Sequence, residues 1–281
     1  MLAVRFTQAG ARRIVDLQGL FEQQTAFLVG GAPSLLQQNV ELLNQRGVLA
    51  MAMNNAAIHF RPSLWASGDN PNCYEPRILL DPRIMKFAPL AHADAIVGGQ
   101  KYCTLPNLYF YLQAGNIPWE DFFAERAEVP WYNNTLFVGI HVLYQMGIRR
   151  IILAGSDFGF SSEGDVYAHK TALGSLEKKW NLDLYNSQVR ELRMLKPMFD
   201  KAGCELLDCS QNSRIGQVYR TLSLDEAVQL CCKNFPAEAR DPASLPHCSK
   251  FATESIQKRI AEWPGYQVVG APGQNAMQEA L

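Results

Sequence analysis

The segment of residues 151–170, IILAGSDFGFSSEGDVYAHK, carries the densest set of side chains able to do chemistry. A buried strand is predicted to end at Gly155, which places Asp157 at the carboxyl edge of a parallel sheet. The polar loop beyond it carries His169, and histidine is the commonest general acid or base near neutral pH. A histidine in a surface loop is usually inert, but its place after an Asp-bearing strand end makes His169, with Asp157, the predicted catalytic pair.

A second candidate is the segment FLVGGAPSLL, residues 27–36. After a predicted strand, Gly30 and Gly31 let the backbone turn sharply and approach a ligand without Cβ atoms. Ser34 can cap the helix predicted to follow. Exposed amides and the positive end of a helix attract anions, so the loop suits a phosphate. It matches neither GxGxxG nor GxxxxGK[ST], and a tight strand-to-helix connection explains the glycines equally well.

Three further loops place polar side chains after predicted strands or at a predicted helix start. Asn54 and Asn55 can bind a base or a sugar, or can simply form a turn. Asp69 is placed for a ribose hydroxyl or a metal-bound water, with capping of the next turn as the alternative. Asn134 and Thr135 open a long helix and form a second candidate anion site, although helix capping explains them about equally well.

These loops require a scaffold in which strands and helices alternate. Short apolar runs alternate with amphipathic stretches, which predicts an α/β, Rossmann-like fold: a mostly parallel sheet with helices on both faces. Right-handed crossovers should align the loops that follow the strands along one edge. The predicted strands are Ala26–Val29, Val48–Met53, Leu64–Ala66, Ile84–Phe87, Ala95–Val97, Ile151–Ala154 and Glu205–Asp208. The predicted helices are Ser34–Gln45, Asn134–Met146 and Ser187–Ala202, with Gly47, Gly147 and Gly203 as stop signals.

Composition and charge narrow the class of protein. Of 281 residues, 48% are hydrophobic and 19% charged, which is ordinary for a globular chain. The net charge of -1 gives no reason to expect broad attraction to nucleic acid. No apolar run approaches the roughly 18 residues of a membrane span, and the N-terminus has no apolar signal stretch, so a cytoplasmic protein is expected. Seven scattered cysteines without a CxxC pair argue against a disulfide framework or a zinc ribbon.

Six runs, in order, resemble a known family: GGAPSL, MNNA, SGDNP, GIRRIILAGSDFGFSSEGDVYAH, YNSQ and LLDCSQNSRIGQV. The family is related to the motility-associated flagellin glycosyltransferases and the archaeal 6-hydroxymethylpterin diphosphokinases, and in turn resembles the bacterial sialyltransferases. The resemblance covers roughly residues 25–230. Its most specific part is the G-x-D-[LF] strand end with an Ala-His pair after a short polar loop. It implies a nucleotide-binding, glycosyltransferase-like α/β domain over residues 1–234. From about Phe235 the sequence itself becomes richer in Pro, Ala and charged residues, which predicts a C-terminal helical extension and tail over residues 235–281, with one amphipathic helix at Thr253–Glu262.

The resemblance also implies roles for single residues. Gly30, Gly31, Pro33 and Ser34 would contact the nucleotide phosphates, Asn54 would lie near the phosphate or the transferred group, and Ser210–Gly216 would close the site. Together with the loops above, the predicted nucleotide-binding residues are Gly30, Gly31, Pro33, Ser34, Asn54, Asn55, Asp69, Asn134, Thr135, Gly155 and Ser210, and no metal ligand is predicted.

Two departures from the family pattern bear on chemistry. Gly31 stands where the sialyltransferase loop carries Asn, which weakens a specific expectation of a cytidine nucleotide. The sialyltransferase base is a histidine in the stretch where this chain has Asn181–Gln188 and no histidine. In glycosyl transfer, His169 or another residue must therefore serve as the base.

The favoured function is glycosyl transfer from a nucleotide-sugar donor to an acceptor hydroxyl on a polysaccharide, a protein such as flagellin, or a modified nucleic-acid base. This reaction needs no cofactor, since glycosyl transfer in the sialyltransferase relatives is metal-independent. The first alternative is diphosphoryl transfer from ATP to a small hydroxymethyl compound such as a pterin, with Mg²⁺ held by Asp69, Asp157 or Asp165. The second alternative is a nucleotide-binding module without catalysis.

Overall fold

A computed structural model describes residues 6–8, 13–15, 17–161, 167–168, 173–211, 213–232 and 267–269. Its strands are β1 (Phe6–Gln8), β2 (Arg13–Val15), β3 (Thr25–Val29), β4 (Ala50–Met53), β5 (Leu64–Ala66), β6 (Met85–Pro89), β7 (Ile96–Val97), β8 (Gln100–Lys101), β9 (Leu108–Tyr111), β10 (Gln113–Ala114), β11 (Val129–Pro130), β12 (Arg150–Ala154), β13 (Glu205–Asp208) and β14 (Gln267–Val269). Its α-helices are α1 (Pro76–Leu80), α2 (Thr135–Gln145), α3 (Ser175–Lys201) and α4 (Leu224–Cys231).

The main sheet has the strand order β13-β12-β3-β4-β5-β6-β9-β1-β2-β14. The first seven strands are all parallel to their neighbours, whereas β1 pairs antiparallel with both β9 and β2. From β3 the chain builds outward to β9 and then returns to the other side of β3 with β12. The strand order therefore reverses between β3 and β12, the position where open α/β sheets bind ligands.

Helices cover both faces of this sheet. Successive strand residues point to opposite sides, so neighbouring residues of one strand pack against different helix layers. Leu28 belongs to the core cluster that includes residues of α2 and α3. Phe27 and Val29 belong to the other cluster, which includes residues of α1 and α4. The α/β fold, the mostly parallel sheet and the helices on both faces are thus confirmed.

The predicted α-helix over Ser34–Gln45 is wrong. Two short 3-10 helices, Pro33–Gln37 and Val40–Asn44, occupy this stretch, and Gln38 between them is extended. The Gln38 side chain donates a hydrogen bond to the Cys209 carbonyl oxygen at 2.9 Å, which anchors the break to the last core strand. Two separate turns allow both Leu35 and Leu43 to be buried in the core.

Other differences concern the bounds of elements. Helix α3 begins at Ser175, one dozen residues before the predicted Ser187, and β9 was not predicted. Ile96–Val97 forms a strand, but it pairs antiparallel with Gln100–Lys101 outside the main sheet. In the predicted tail only Gln267–Val269 is described, as a strand beside β2, and Thr253–Glu262 lies outside the described residues.

The described part of the chain bears on the expectations about cysteines and about membrane spans. The six cysteines it contains are all free thiols. No helix within it has the length and the apolar character that crossing a membrane requires.

Candidate functional site

A cleft of about 350 Å³ opens at the carboxyl edge of the parallel strands. Its walls come from the loops after β3, β4, β5 and β12, from the start of α2 and from one face of α3, so it lies where the strand order reverses. Its volume is within the range of small-molecule sites. The predicted site residues that line it are Gly30, Gly31, Asn54, Asn55, Asp69, Asn134, Thr135, Gly155 and Asp157.

At the ends of β3 and β12 two backbone segments approach so closely that Gly30 and Gly155 leave no room for a Cβ atom on each other. The Gly30 N–H donates to the Ala154 carbonyl oxygen at 2.8 Å, and the Ala32 N–H donates to the Gly155 carbonyl oxygen at 2.9 Å. A Cβ atom on Gly30 would lie 2.5 Å from the Gly155 oxygen, and one on Gly155, whose φ is +56°, would lie 2.6 Å from the Gly30 oxygen. The close approach of two backbones therefore explains both residues without a ligand.

Gly31 is different, because it faces open space. The nearest atom to a Cβ placed on Gly31 would be the Ala56 nitrogen, at 3.9 Å. Its carbonyl oxygen accepts a hydrogen bond from the Ala168 N–H at 2.7 Å, which ties the loop after β12 to the loop after β3. Both adjacent glycines line the cleft, but only at Gly31 would a Cβ atom find free space.

Asp157 is bonded to Ser34, 123 residues earlier in the chain. Its Oδ2 accepts the Ser34 N–H at 3.1 Å, and its Oδ1 accepts the Ser34 hydroxyl. Burial raises the pKa of Asp157, although the bonds from Ser34 act against this. Ser34 is buried and lies outside the cleft lining, as does Pro33. The prediction that Ser34 caps a helix is wrong, since Ala32 precedes the 3-10 turn as its cap residue.

The segment after β13 supports the loop after β12. The Ser210 hydroxyl oxygen accepts a hydrogen bond from the Ser156 N–H at 2.9 Å. Two residues of the same segment bond to carbonyl oxygens of that loop: the Ser213 hydroxyl donates to Ser156 at 3.4 Å, and Arg214 Nη1 donates to Phe158 at 3.0 Å. Ser210 itself does not line the cleft, so its contact in the structure is with the loop.

A hydrogen-bond network joins the loops after β4 and β5. The Tyr74 hydroxyl lies 3.0 Å from Asp69 Oδ2 and 3.2 Å from Asn54 Oδ1, and it accepts from the Ser67 hydroxyl. The Thr135 hydroxyl donates to the same Asn54 oxygen at 3.3 Å. Burial, followed by the charge of Asp69, raises the pKa of Tyr74. The network fixes Asn54 and Asp69 beside the start of α2.

Asn134 caps α2 and has one group left over. Its Oδ1 accepts the Leu136 N–H at 2.9 Å. Its Nδ2 is buried and finds no hydrogen-bond partner among the described residues, although only 6% of the residue is exposed. The first N–H groups of a helix have no partner within it and carry partial positive charge. Asn134 lines the cleft, so a ligand oxygen there would satisfy a donor that is otherwise costly to bury.

Aromatic side chains that sequence reasoning missed form much of the walls. They are Tyr74, Trp131, Phe158, Tyr167, Trp180 and Tyr185. The Trp131 ring occupies the place where a Cβ on Gly68 would be, 1.7 Å from its nearest ring atom. The signal that could have found the α3 wall is the helical spacing of Asn181, Tyr185 and Gln188, which puts polar groups on the face turned toward the protein.

The other predicted catalytic residue is His169. His169 lies outside the described residues, as does Asp165, and both stay predictions. The neighbouring Tyr167 lines the cleft and donates its hydroxyl hydrogen to Asn181 Oδ1 at 3.2 Å. Within the described ranges, no group of three His, Cys, Asp or Glu side chains is arranged to hold a metal ion.

Comparison with known proteins gave no match. No family model, no curated protein and no solved structure matches this chain.

Proposed function

We propose that this chain is a glycosyltransferase that moves a sugar from a nucleotide-activated donor to an acceptor hydroxyl. The observation that carries the proposal is the unpartnered Nδ2 of Asn134, at the start of α2 and on the wall of the cleft. An amide donor and a helix N-terminus together suit a phosphate oxygen. The cleft lies where the strand order reverses, which is where this class of sheet binds nucleotides.

The chemistry of the walls favours a ligand rich in hydroxyl groups. None of the described residues that line the cleft is Lys, Arg or His. The lining instead offers amides such as Asn54 and Asn55, hydroxyl groups and broad aromatic faces. Amides and hydroxyls bind sugars and bases through directed hydrogen bonds, while aromatic rings cover their apolar faces. The departing phosphate would be stabilised by the start of α2, which carries roughly half a positive charge.

A thermal-shift screen tests the proposal. The ligands are CMP, CDP, UDP, GDP, ADP and ATP and the nucleotide sugars UDP-glucose, GDP-mannose and CMP-N-acetylneuraminate, each with Mg²⁺ and with EDTA. A ligand of the folded state at 100 times its Kd stabilises by about 2.7 kcal/mol. We expect one nucleotide and its sugar to raise the Tm with or without metal. Stabilisation by ATP only when Mg²⁺ is present would favour the alternative of diphosphoryl transfer. Nucleotide binding without sugar transfer would favour a nucleotide-binding module without catalysis.

The variant Asn134→Asp isolates the anion contact. Asp caps a helix as well as Asn does and its charge suits a helix N-terminus, so the free protein should fold; its Tm is measured alongside, because the new carboxylate is buried. The substitution replaces the Nδ2 donor by a charged oxygen that faces the phosphate. A hydrogen bond to a charged group contributes about 1.5–3 kcal/mol, so nucleotide affinity should fall by roughly 10- to 150-fold.

The matched control is Asn116→Asp, which makes the same charge change on an exposed residue outside the cleft. It should bind the nucleotide as the wild type does. Wild-type affinity in Asn134→Asp would remove the start of α2 from the binding site and, with it, the main support for the proposal.

A further inference from the structure

We infer that Asp69 is the general base of the transfer, the group that removes the proton from the acceptor hydroxyl. The inference rests on the proposed glycosyl transfer and assigns Asp69 a role other than the ribose contact expected from the sequence. The family pattern supplies no base for this chain, because Asn181–Gln188 contains no histidine.

Only one carboxylate in the described lining of the cleft has a free oxygen. Asp157 is 8% exposed, and both of its oxygens accept hydrogen bonds from Ser34. Asp69 is exposed, and its Oδ1 accepts no hydrogen bond from any described residue. A base must offer an oxygen lone pair to the proton it takes. Asp69 meets that requirement and Asp157 does not.

The other atoms of Asp69 are held in place. Its Oδ2 lies 3.0 Å from the hydroxyl of Tyr74, a residue that is 8% exposed, and its N–H donates to Ser67 Oγ at 3.1 Å. The Tyr111 hydroxyl of β9 donates to the Ser67 carbonyl oxygen at 2.9 Å, which holds the backbone of the segment that carries Asp69. One carboxylate oxygen is thus anchored, while the other belongs to an exposed side chain on the cleft wall and has no partner among the described residues.

The anchored carboxylate stands beside the phosphate site. The Tyr74 hydroxyl that meets Asp69 also meets Asn54 Oδ1, and that oxygen accepts from Thr135 at the first position of α2. Asp69 and Tyr167 line the same cleft, and burial, followed by the charge of Asp69, raises the pKa of the Tyr167 hydroxyl. Three hydrogen bonds therefore connect the carboxylate to the start of α2, and both ends of this chain line the same cleft.

The reaction balances with these groups. Asp69 takes the proton of the acceptor hydroxyl as the acceptor oxygen forms a bond to the anomeric carbon. The bond from that carbon to the phosphate oxygen breaks, and the nucleotide leaves with the electron pair toward the start of α2. The proton on Asp69 then passes to water. The donor and the acceptor are the two reactants consumed, and no oxidant or reductant is needed.

The test measures nucleotide release from the nucleotide sugar that stabilises the protein in the thermal-shift screen, with water as the acceptor. In Asp69→Asn the side-chain oxygen can still accept from Tyr74, so the fold and the donor Kd should be retained. We expect kcat to fall by roughly 10²-fold or more, the scale of a lost general base. In Asp69→Ala, added formate should restore part of the rate.

The control is Asp94→Asn, whose side chain is 87% exposed and pairs with Lys101 outside the cleft, and it should keep the wild-type kcat. Unchanged kcat in Asp69→Asn would overturn the inference while leaving glycosyl transfer in place. A weaker donor Kd with unchanged kcat would show that Asp69 is a donor ligand, which also overturns it. Wild-type protein that releases nucleotide from none of the sugars would instead overturn the proposed function.

Discussion

Gly30 and Gly31 should respond in opposite ways to the same substitution. A Cβ on Gly30 would lie 2.5 Å from the Gly155 carbonyl oxygen and 2.9 Å from Ser156 Oγ. The carbonyl belongs to the backbone and cannot rotate away, so β3 and β12 would have to separate where they pair in parallel. Overpacking a tight interior costs about 1–3 kcal/mol. We expect Gly30→Ala to lower the free energy of unfolding by that amount.

Gly31→Ala should leave folding alone and weaken binding. The nearest atom to the added Cβ is 3.9 Å away, an ordinary contact, so the free energy of unfolding should stay within about 0.5 kcal/mol of wild type. The methyl group takes up space on the cleft wall. Crowding of a bound phosphate by this methyl group should reduce the binding free energy by a similar amount, about 1–3 kcal/mol, which lowers nucleotide affinity by roughly 5- to 150-fold. Gly31→Val should lose more.

Urea unfolding and titration calorimetry with the stabilising nucleotide separate the two effects. Gly30→Ala should shift the urea midpoint, and Gly31→Ala should shift the Kd alone. Full stability in Gly30→Ala would refute the argument that the two strand ends require bare backbone. Wild-type affinity in both Gly31 variants would take this loop out of the nucleotide site.

Two further predictions concern buried groups of the core. Burial lowers the pKa of His141 to about 3, against about 6.5 in an unfolded chain, so its contribution to stability is complete above pH 6.5 and is lost as the pH falls toward 3. Between pH 7 and pH 5 the loss should be about 2 kcal/mol larger in wild type than in His141→Gln by urea unfolding, and equal losses would contradict the linkage. Gly68→Ala should displace the Trp131 ring and lower the free energy of unfolding by about 1–3 kcal/mol, so an unchanged urea midpoint would show that the ring has another place to go.

The cleft could be located from the sequence because the loops that follow parallel strands all emerge at the same edge of the sheet. Polar residues that follow buried runs, such as Asn54 and Asp69, must emerge at the carboxyl edge once the strands are parallel. Their position along the chain is therefore enough to bring them together. The same logic found Asn134, because a polar residue before a long apolar helix marks its start.

What the sequence could not distinguish is which neighbour a residue serves. A missing Cβ suits a close backbone as well as a ligand, and Gly30 and Gly31 turned out to divide these roles. The bond between Ser34 and Asp157 joins residues 123 positions apart, and no local pattern records it. The first turns of α3 carry exposed apolar groups such as Trp180, so they lack the amphipathic pattern that marked its later part.

The loop after β3 is chiefly a joint between two strands, and this changes where an anion can bind. Its N–H groups at Gly30 and Ala32 donate to the end of β12, and that of Ser34 donates to Asp157. Among the described residues, only the Gly31 N–H in this loop is without an acceptor, beside a start of α2 that has Asn134 Nδ2 to offer. A phosphate held by this cleft must therefore rely on α2 more than on the glycine loop. For this reason, alanine in place of Asn134 should weaken nucleotide affinity more than alanine in place of Gly31.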